Sequence, residues 1–132
     1  MKIDDAFKEA LKNKKRTIEL EEIIAKSPSH SVLYAKMVIG GRFFLAEENI
    51  AKNPYFVCAY LSELGLEKPP ENIHRIMLSK GIQKNESLDD DKNYWLRQYF
   101  KICDYLDGEG PKPSCLLHGV NWNYGDAFLA NF

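Results

Sequence analysis

Few residues in this chain of 132 are suited to chemistry, and they are scattered. Cys103, Cys115 and His118 form a C-x11-C-x2-H array. Zinc sites use such side chains, but a structural site takes four ligands, so His74 or Cys58 would have to complete it. Cys103 also falls on the apolar face of an expected helix, where a free thiol behaves as a small hydrophobe. Cys115 and His118 could instead be drawn as a thiol nucleophile and its base. No signature of an orienting group or an oxyanion pocket accompanies them. Glu21-Glu22 and Glu47-Glu48 are paired carboxylates, as glycosidases require. Adjacent residues on a helix diverge by about 100°, however, so each pair is expected to meet solvent or an arginine rather than a common substrate. Asp89-Asp90-Asp91 resembles a metal-binding run, but acids in a first helical turn are explained by the helix dipole. Read this way, the chain has no catalytic residue, no metal and no cofactor.

Arg16 and Arg42 carry a stronger signal, because they open two related stretches. Residues 16–28 and 42–54 match at seven of thirteen positions with an offset of 26. The shared residues are Arg, Glu, Glu, Ile, Ala, Lys and Pro, and Ser27 is exchanged for Asn53, an equally good helix cap. Either arginine could bind a ligand phosphate or carboxylate. The structural alternative is that each satisfies free carbonyls at a helix end and pairs with a glutamate. A period of this size is the mark of stacked helical units, none able to bury its apolar face alone.

The elements that must position these residues follow from caps and stops. A first helix starts at Asp4 or Asp5 with Ala6, Phe7, Ala10 and Leu11 on one face. The basic run Lys12, Lys14, Lys15, Arg16 makes a solvated turn before a second short helix at 17–25. Ser27-Pro28 and Asn53-Pro54 each begin a longer helix, with proline in the first turn where its missing N–H costs nothing. Gly40-Gly41 and Gly65 stop them. Tyr34 and Tyr60 hold the same register, and a short helix over 44–51 links the two units. The unit that Asn53-Pro54 opens is the third and is decayed: Pro69-Pro70 replace Phe43-Phe44 and begin a helix that stops at Gly81. After a polar connection, the longest helix runs to about Leu106, with Leu88, Trp95, Tyr99, Ile102, Cys103 and Leu106 on one face. The segment from Ser114 to Phe132 is aromatic and short; residues 120–124 alternate briefly and form the best strand candidate. The expected fold is all-α: about three helix-pair units with a 26-residue period, then a long helix and a compact aromatic C-terminal cap. The chain reads as one domain, with residues 1–80 holding the repeats and 81–132 the long helix and cap.

Eighteen basic residues against nineteen acidic ones exclude a nucleic-acid binder that relies on a basic field, and a polyanionic mimic as well. No apolar stretch approaches a membrane span. Three cysteines with no framework spacing suit a reducing cytoplasm.

The central pattern is Ser27-Pro28, Tyr34-Ala35, Val38-Ile39, Gly41-Arg42-Phe43, Ala46-Glu47, Ile50-Ala51. It resembles a family of uncharacterised short α-helical repeats in phage and bacterial proteins. The first unit keeps Arg16, Glu21, Ile24 and Ala25; the third keeps Asn53, Pro54 and Tyr60. The likeness covers about residues 6–78. It implies a helical fold and a viral or mobile-element origin, in which case the location is the host cytoplasm, and it implies no catalytic residue.

The function expected on these grounds is a non-enzymatic protein-binding module, in one form an inhibitor of a host defence protein. One alternative is a small zinc- or thiol-dependent enzyme using Cys115 and His118. Another is a self-associating structural protein. Trp122, Tyr124, Phe128 and Phe132 either cap the repeat end or form the contact patch, with a protein partner or a second copy of the chain as occupant.

Overall fold

The computed structural model describes residues 1–65, 67–80 and 94–113, and every regular element in them is helical. The fold is all-α. Helix α1 (Ile3–Asn13) carries acids in its first turn, favourable at the positive end of the dipole, and buries Ala6, Phe7 and Ala10. It ends at Lys14, whose left-handed backbone (φ 50°) closes the turn, and the basic run behind it is exposed. Helix α2 (Ile18–Ile24) follows.

Helix α3 (Pro28–Tyr34) begins where Ser27 and Pro28 predict, the Ser27 hydroxyl accepting the His30 N–H. The expected helix does not run on regularly to the glycines: Ala35–Ile39 widens into a π-helical segment. Gly40 and Gly41 both donate to the Ala35 carbonyl, at 2.8 and 3.2 Å. Of the expected stop Gly40-Gly41, Gly40 takes the left-handed conformation (φ 73°), whereas Gly41, the glycine of the repeat pattern, has no positive φ and open space about it.

A 3-10 turn (Phe44–Ala46) leads into α4 (Glu47–Ile50), and α5 (Pro54–Leu64) starts with Pro54 in its first turn and Asn53 accepting the Tyr55 N–H at 3.0 Å. Helix α6 spans Glu71–Lys80 and α7 spans Tyr94–Leu106. α7 lies along α5, α3 packs against α1, α4 and α5, and α4 packs against α6. The buried side of α7 turns on Leu96, Tyr99 and Ile102; Trp95, Cys103 and Leu106 flank it half-buried, a shift of the face around the helix from the one the sequence suggested.

The core is built on Phe7, Tyr34, Phe43, Tyr60 and Tyr99, all fully buried, with Ile24, Ile50 and Ile73 between them. Ile24 and Ile50 are register partners, as are Ala25 and Ala51, and all four are buried. The last carbonyls of α2 are taken by neighbours: Ser31 Oγ donates to Ile24 O at 3.0 Å and Asn49 Nδ2 to Ala25 O at 2.8 Å. The polar connection with Asp89–Asp91 and the aromatic C-terminal segment, including the strand candidate at 120–124, lie outside the described residues.

Candidate functional site

The two arginines of the duplicated stretch are committed to their own units. Arg16 donates from Nε and Nη2 to the two oxygens of Glu21 at 2.8 and 3.0 Å. Arg42 does the same to Glu47 at 2.9 and 2.7 Å. This fork-on-fork geometry is the strongest form a guanidinium–carboxylate pair takes. Each carboxylate then accepts a third bond from a buried tyrosine: Tyr34 OH to Glu21 at 2.6 Å, Tyr60 OH to Glu47 at 2.7 Å. The tyrosines marked from the sequence only as register positions are therefore the second proton donors of each cluster. Glutamate and tyrosine stand thirteen residues apart in both units, the spacing that could have revealed them.

The electrostatics follow from these contacts. Arg16 holds the Glu21 carboxyl below its ordinary range, against burial, with Tyr34 assisting. Burial pushes Glu47 upward, and the bonds from Arg42, Tyr60 and Asn72 outweigh it, so its carboxyl also sits low. Burial and the neighbouring carboxylate push Tyr34 and Tyr60 upward. Both glutamates are thus ionised and saturated with donors, a poor state for an acid or base that must exchange protons with a substrate. The paired-carboxylate idea separates cleanly: Glu21 and Glu47 turn inward, while Glu22 and Glu48 are exposed.

Outside the clusters, large apolar side chains meet water. Ile18 and Phe44 occupy the same register position and are each 65% exposed, and Leu45 beside Phe44 is 53% exposed. The Arg42 guanidinium lies over the Phe44 ring, 4.2 Å from its centroid. The contact favours this position of the Phe44 ring, through an arginine that Glu47 already orients.

The cysteine and histidine candidates divide. Cys103 faces His74, Sγ to Nδ1 4.0 Å, but His74 Nδ1 is engaged by the Tyr99 hydroxyl at 2.6 Å. Cys58 points elsewhere, donating to the Trp95 carbonyl at 3.4 Å. Burial, with Asp107 and Asp104 adding to it, pushes the Cys103 thiol upward, opposite to what a nucleophile needs. A cleft of about 530 Å³ opens beside these groups, its wall including Arg42, Lys68, Glu71, His74, Cys103 and Asp107. Among the described residues no three His, Cys, Asp or Glu side chains are arranged to hold a metal ion, and no helix is long and apolar enough to cross a membrane. Cys115, His118, Trp122, Tyr124, Phe128 and Phe132 lie outside the described residues.

These features define a helical protein whose buried glutamates are paired internally and in which one exposed apolar position, Ile18 and Phe44, recurs with the repeat. No protein-family model, curated protein or solved structure matches the chain.

Proposed function

We propose that the chain is a protein-binding module that acts by occupying its partner rather than by turnover. The observation that carries this reading is Phe44, two-thirds exposed with Arg42 stacked over its ring, Leu45 exposed beside it and Ile18 repeating its position. A single exposed apolar residue needs no explanation. An aromatic side chain, with only two χ angles, loses little freedom on binding, which favours its use as an anchor. The near-balanced charge suits a protein partner better than a polyanion. The likeness to phage-type helical repeats supports a host protein as that partner, in one concrete form a defence protein that this chain inhibits.

The test is affinity capture from host lysate, followed by size-exclusion of the purified pair. The complex should elute ahead of either component, and Phe44→Ser should weaken it by at least about tenfold while leaving helicity unchanged. A pair that fails to co-elute, or one that Phe44→Ser binds as the parent chain does, would overturn the proposal.

A further inference from the structure

A second cluster of functional groups lies between α1 and α3, away from the arginine clusters, and its geometry points to a different chemistry. The Ser27 hydroxyl is 2.6 Å from His30 Nδ1, and His30 Nε2 is 2.6 Å from Asp4 Oδ1. With the ring proton on Nε2, that N–H donates to the carboxylate and Nδ1 accepts the serine proton. We propose that Ser27 is a nucleophile, with His30 as its general base and Asp4 as the residue that positions His30, and that the site accepts acyl groups from small activated esters.

Three observations support this. The first is the order of the groups: nucleophile, base, orienting carboxylate, each at hydrogen-bond distance, the arrangement by which a serine is activated. The roles of the two ring nitrogens are exchanged relative to the familiar Ser-His-Asp template, which recurs by geometry rather than by position. The second is that the imidazole is fixed. Its side chain is only 13% exposed and packs edge-on against Phe7, ring centroids 5.6 Å apart. The third is that helix capping does not require this cluster. In the second unit the register partners of Ser27 and His30 are Asn53 and Phe56. Asn53 caps α5 with a 3.0 Å bond and no histidine beside it. The cap that Ser27 makes therefore does not need the imidazole of His30.

The step balances as an acyl transfer. The Ser27 oxygen attacks the ester carbonyl while its proton passes to His30 Nδ1. The carbon–oxygen bond to the leaving group breaks, and the departing alkoxide takes the proton from His30. The products are an acyl-Ser27 ester and a free alcohol. Asp4 is largely exposed and Ser27 is half-buried, so the donor offered to the site is a small one. The inference is independent of the binding role proposed above.

The experiment is incubation of the purified full chain with p-nitrophenyl acetate, read by nitrophenolate release, intact mass and peptide mapping. One acetyl group should appear on Ser27. Ser27→Asn, which copies the second unit's cap, should abolish it with helicity retained. His30→Phe, copying Phe56, should slow it by about a hundredfold or more and remove the rise in rate with deprotonation of the imidazole. Asp4→Asn should slow it less and move that pH profile. Acetyl confined to lysines or the amino terminus, or Ser27 acetylation at an unchanged rate in His30→Phe, would overturn the proposal. Because Ser27→Asn leaves Phe44 untouched, its partner binding should match the parent chain, and failure of one proposal can be told from failure of the other.

Discussion

The stretch from Arg16 to Tyr34 and the stretch from Arg42 to Tyr60, here the first and second units, use one device at two depths. In both, an arginine forks onto a glutamate that also receives a tyrosine hydroxyl. In the first, the Glu21 side chain keeps 7% exposure and Arg16 is 55% exposed; in the second, Glu47 keeps none and Arg42 is 36% exposed. The second unit also adds a link: the Phe43 N–H donates to the Tyr60 hydroxyl at 2.7 Å, so that hydroxyl both accepts and donates. An ion pair near water is worth little, and a buried one is costly to break because the surviving charge is stranded. The same residues at the same spacing should therefore carry different weight, set chiefly by burial and in smaller part by the extra bond to Tyr60.

The largest effect should come from separating the partners. Arg42→Ala strands Glu47 in a fully buried position and should cost about 3–5 kcal/mol. Arg16→Ala leaves Glu21 with some access to water and should cost roughly 1–2 kcal/mol. Urea unfolding of the two variants measures the difference; equal losses would mean that burial is not what distinguishes the units.

The pH dependence sharpens the contrast. A depressed carboxyl pKa contributes stability that is present above the unfolded value, about 4.3, and lost as pH falls through the folded value. Both glutamates should thus make the parent chain less stable on acidification. Arg42→Ala should reverse the sign at Glu47, since burial is its largest influence and pushes the carboxyl upward once the guanidinium is gone. Protonation would then relieve the stranded charge, and stability lost to Arg42→Ala should be partly recovered near pH 4. At Glu21 the arginine is the largest influence and burial comes second, so Arg16→Ala should show a weaker recovery. Denaturation midpoints across the acid range read both slopes.

Tyrosine replacements should give a smaller effect in the same order. Tyr60→Phe removes a bond to Glu47 and orphans the Phe43 N–H, costing about 2–3 kcal/mol, whereas Tyr34→Phe removes one bond to Glu21 and should cost about 1–2 kcal/mol. Above pH of about 10 the unfolded tyrosines ionise while the buried ones, pushed upward, hold their protons. Their contribution is full below that value and is lost as pH rises through the folded range.

How much of this could be read beforehand depended on whether the signal was local. Ser27-Pro28, Asn53-Pro54 and the glycines act on their own backbone, so the start of α3, the start of α5 and the stop at Gly65 were legible from sequence. The Arg–Glu pairs, five residues apart, were nearly local and were expected as one of two outcomes. The tyrosine bonds span thirteen residues and two helices, and only the constant offset in both units hinted at them. The π-helical widening at Ala35–Ile39 has no marker, because it depends on how the helix end meets Gly40 rather than on residue preference. The Ser27–His30–Asp4 cluster was missed for a related reason: Asp4 is 26 residues away on another helix, and from the sequence it marks a helix start and nothing more.

The smallest predicted effect concerns the two caps. The Ser27 hydroxyl accepts the His30 N–H at 3.4 Å, long for such a bond, while Asn53 accepts the Tyr55 N–H at 3.0 Å. Asn53→Ala should therefore cost about 1 kcal/mol. Ser27→Ala loses a weaker cap together with the tie through His30 to Asp4 at 2.6 Å, an exposed contact of small worth, and should cost about the same. Swapping the caps separates these contributions. Asn53→Ser should be slightly destabilising, and Ser27→Asn should be neutral within about 0.5 kcal/mol, because asparagine supplies the cap that serine makes poorly. A Ser27→Asn chain that unfolds well before the parent would show that the hydroxyl's bond to His30, and not the cap, is what holds α1 against α3.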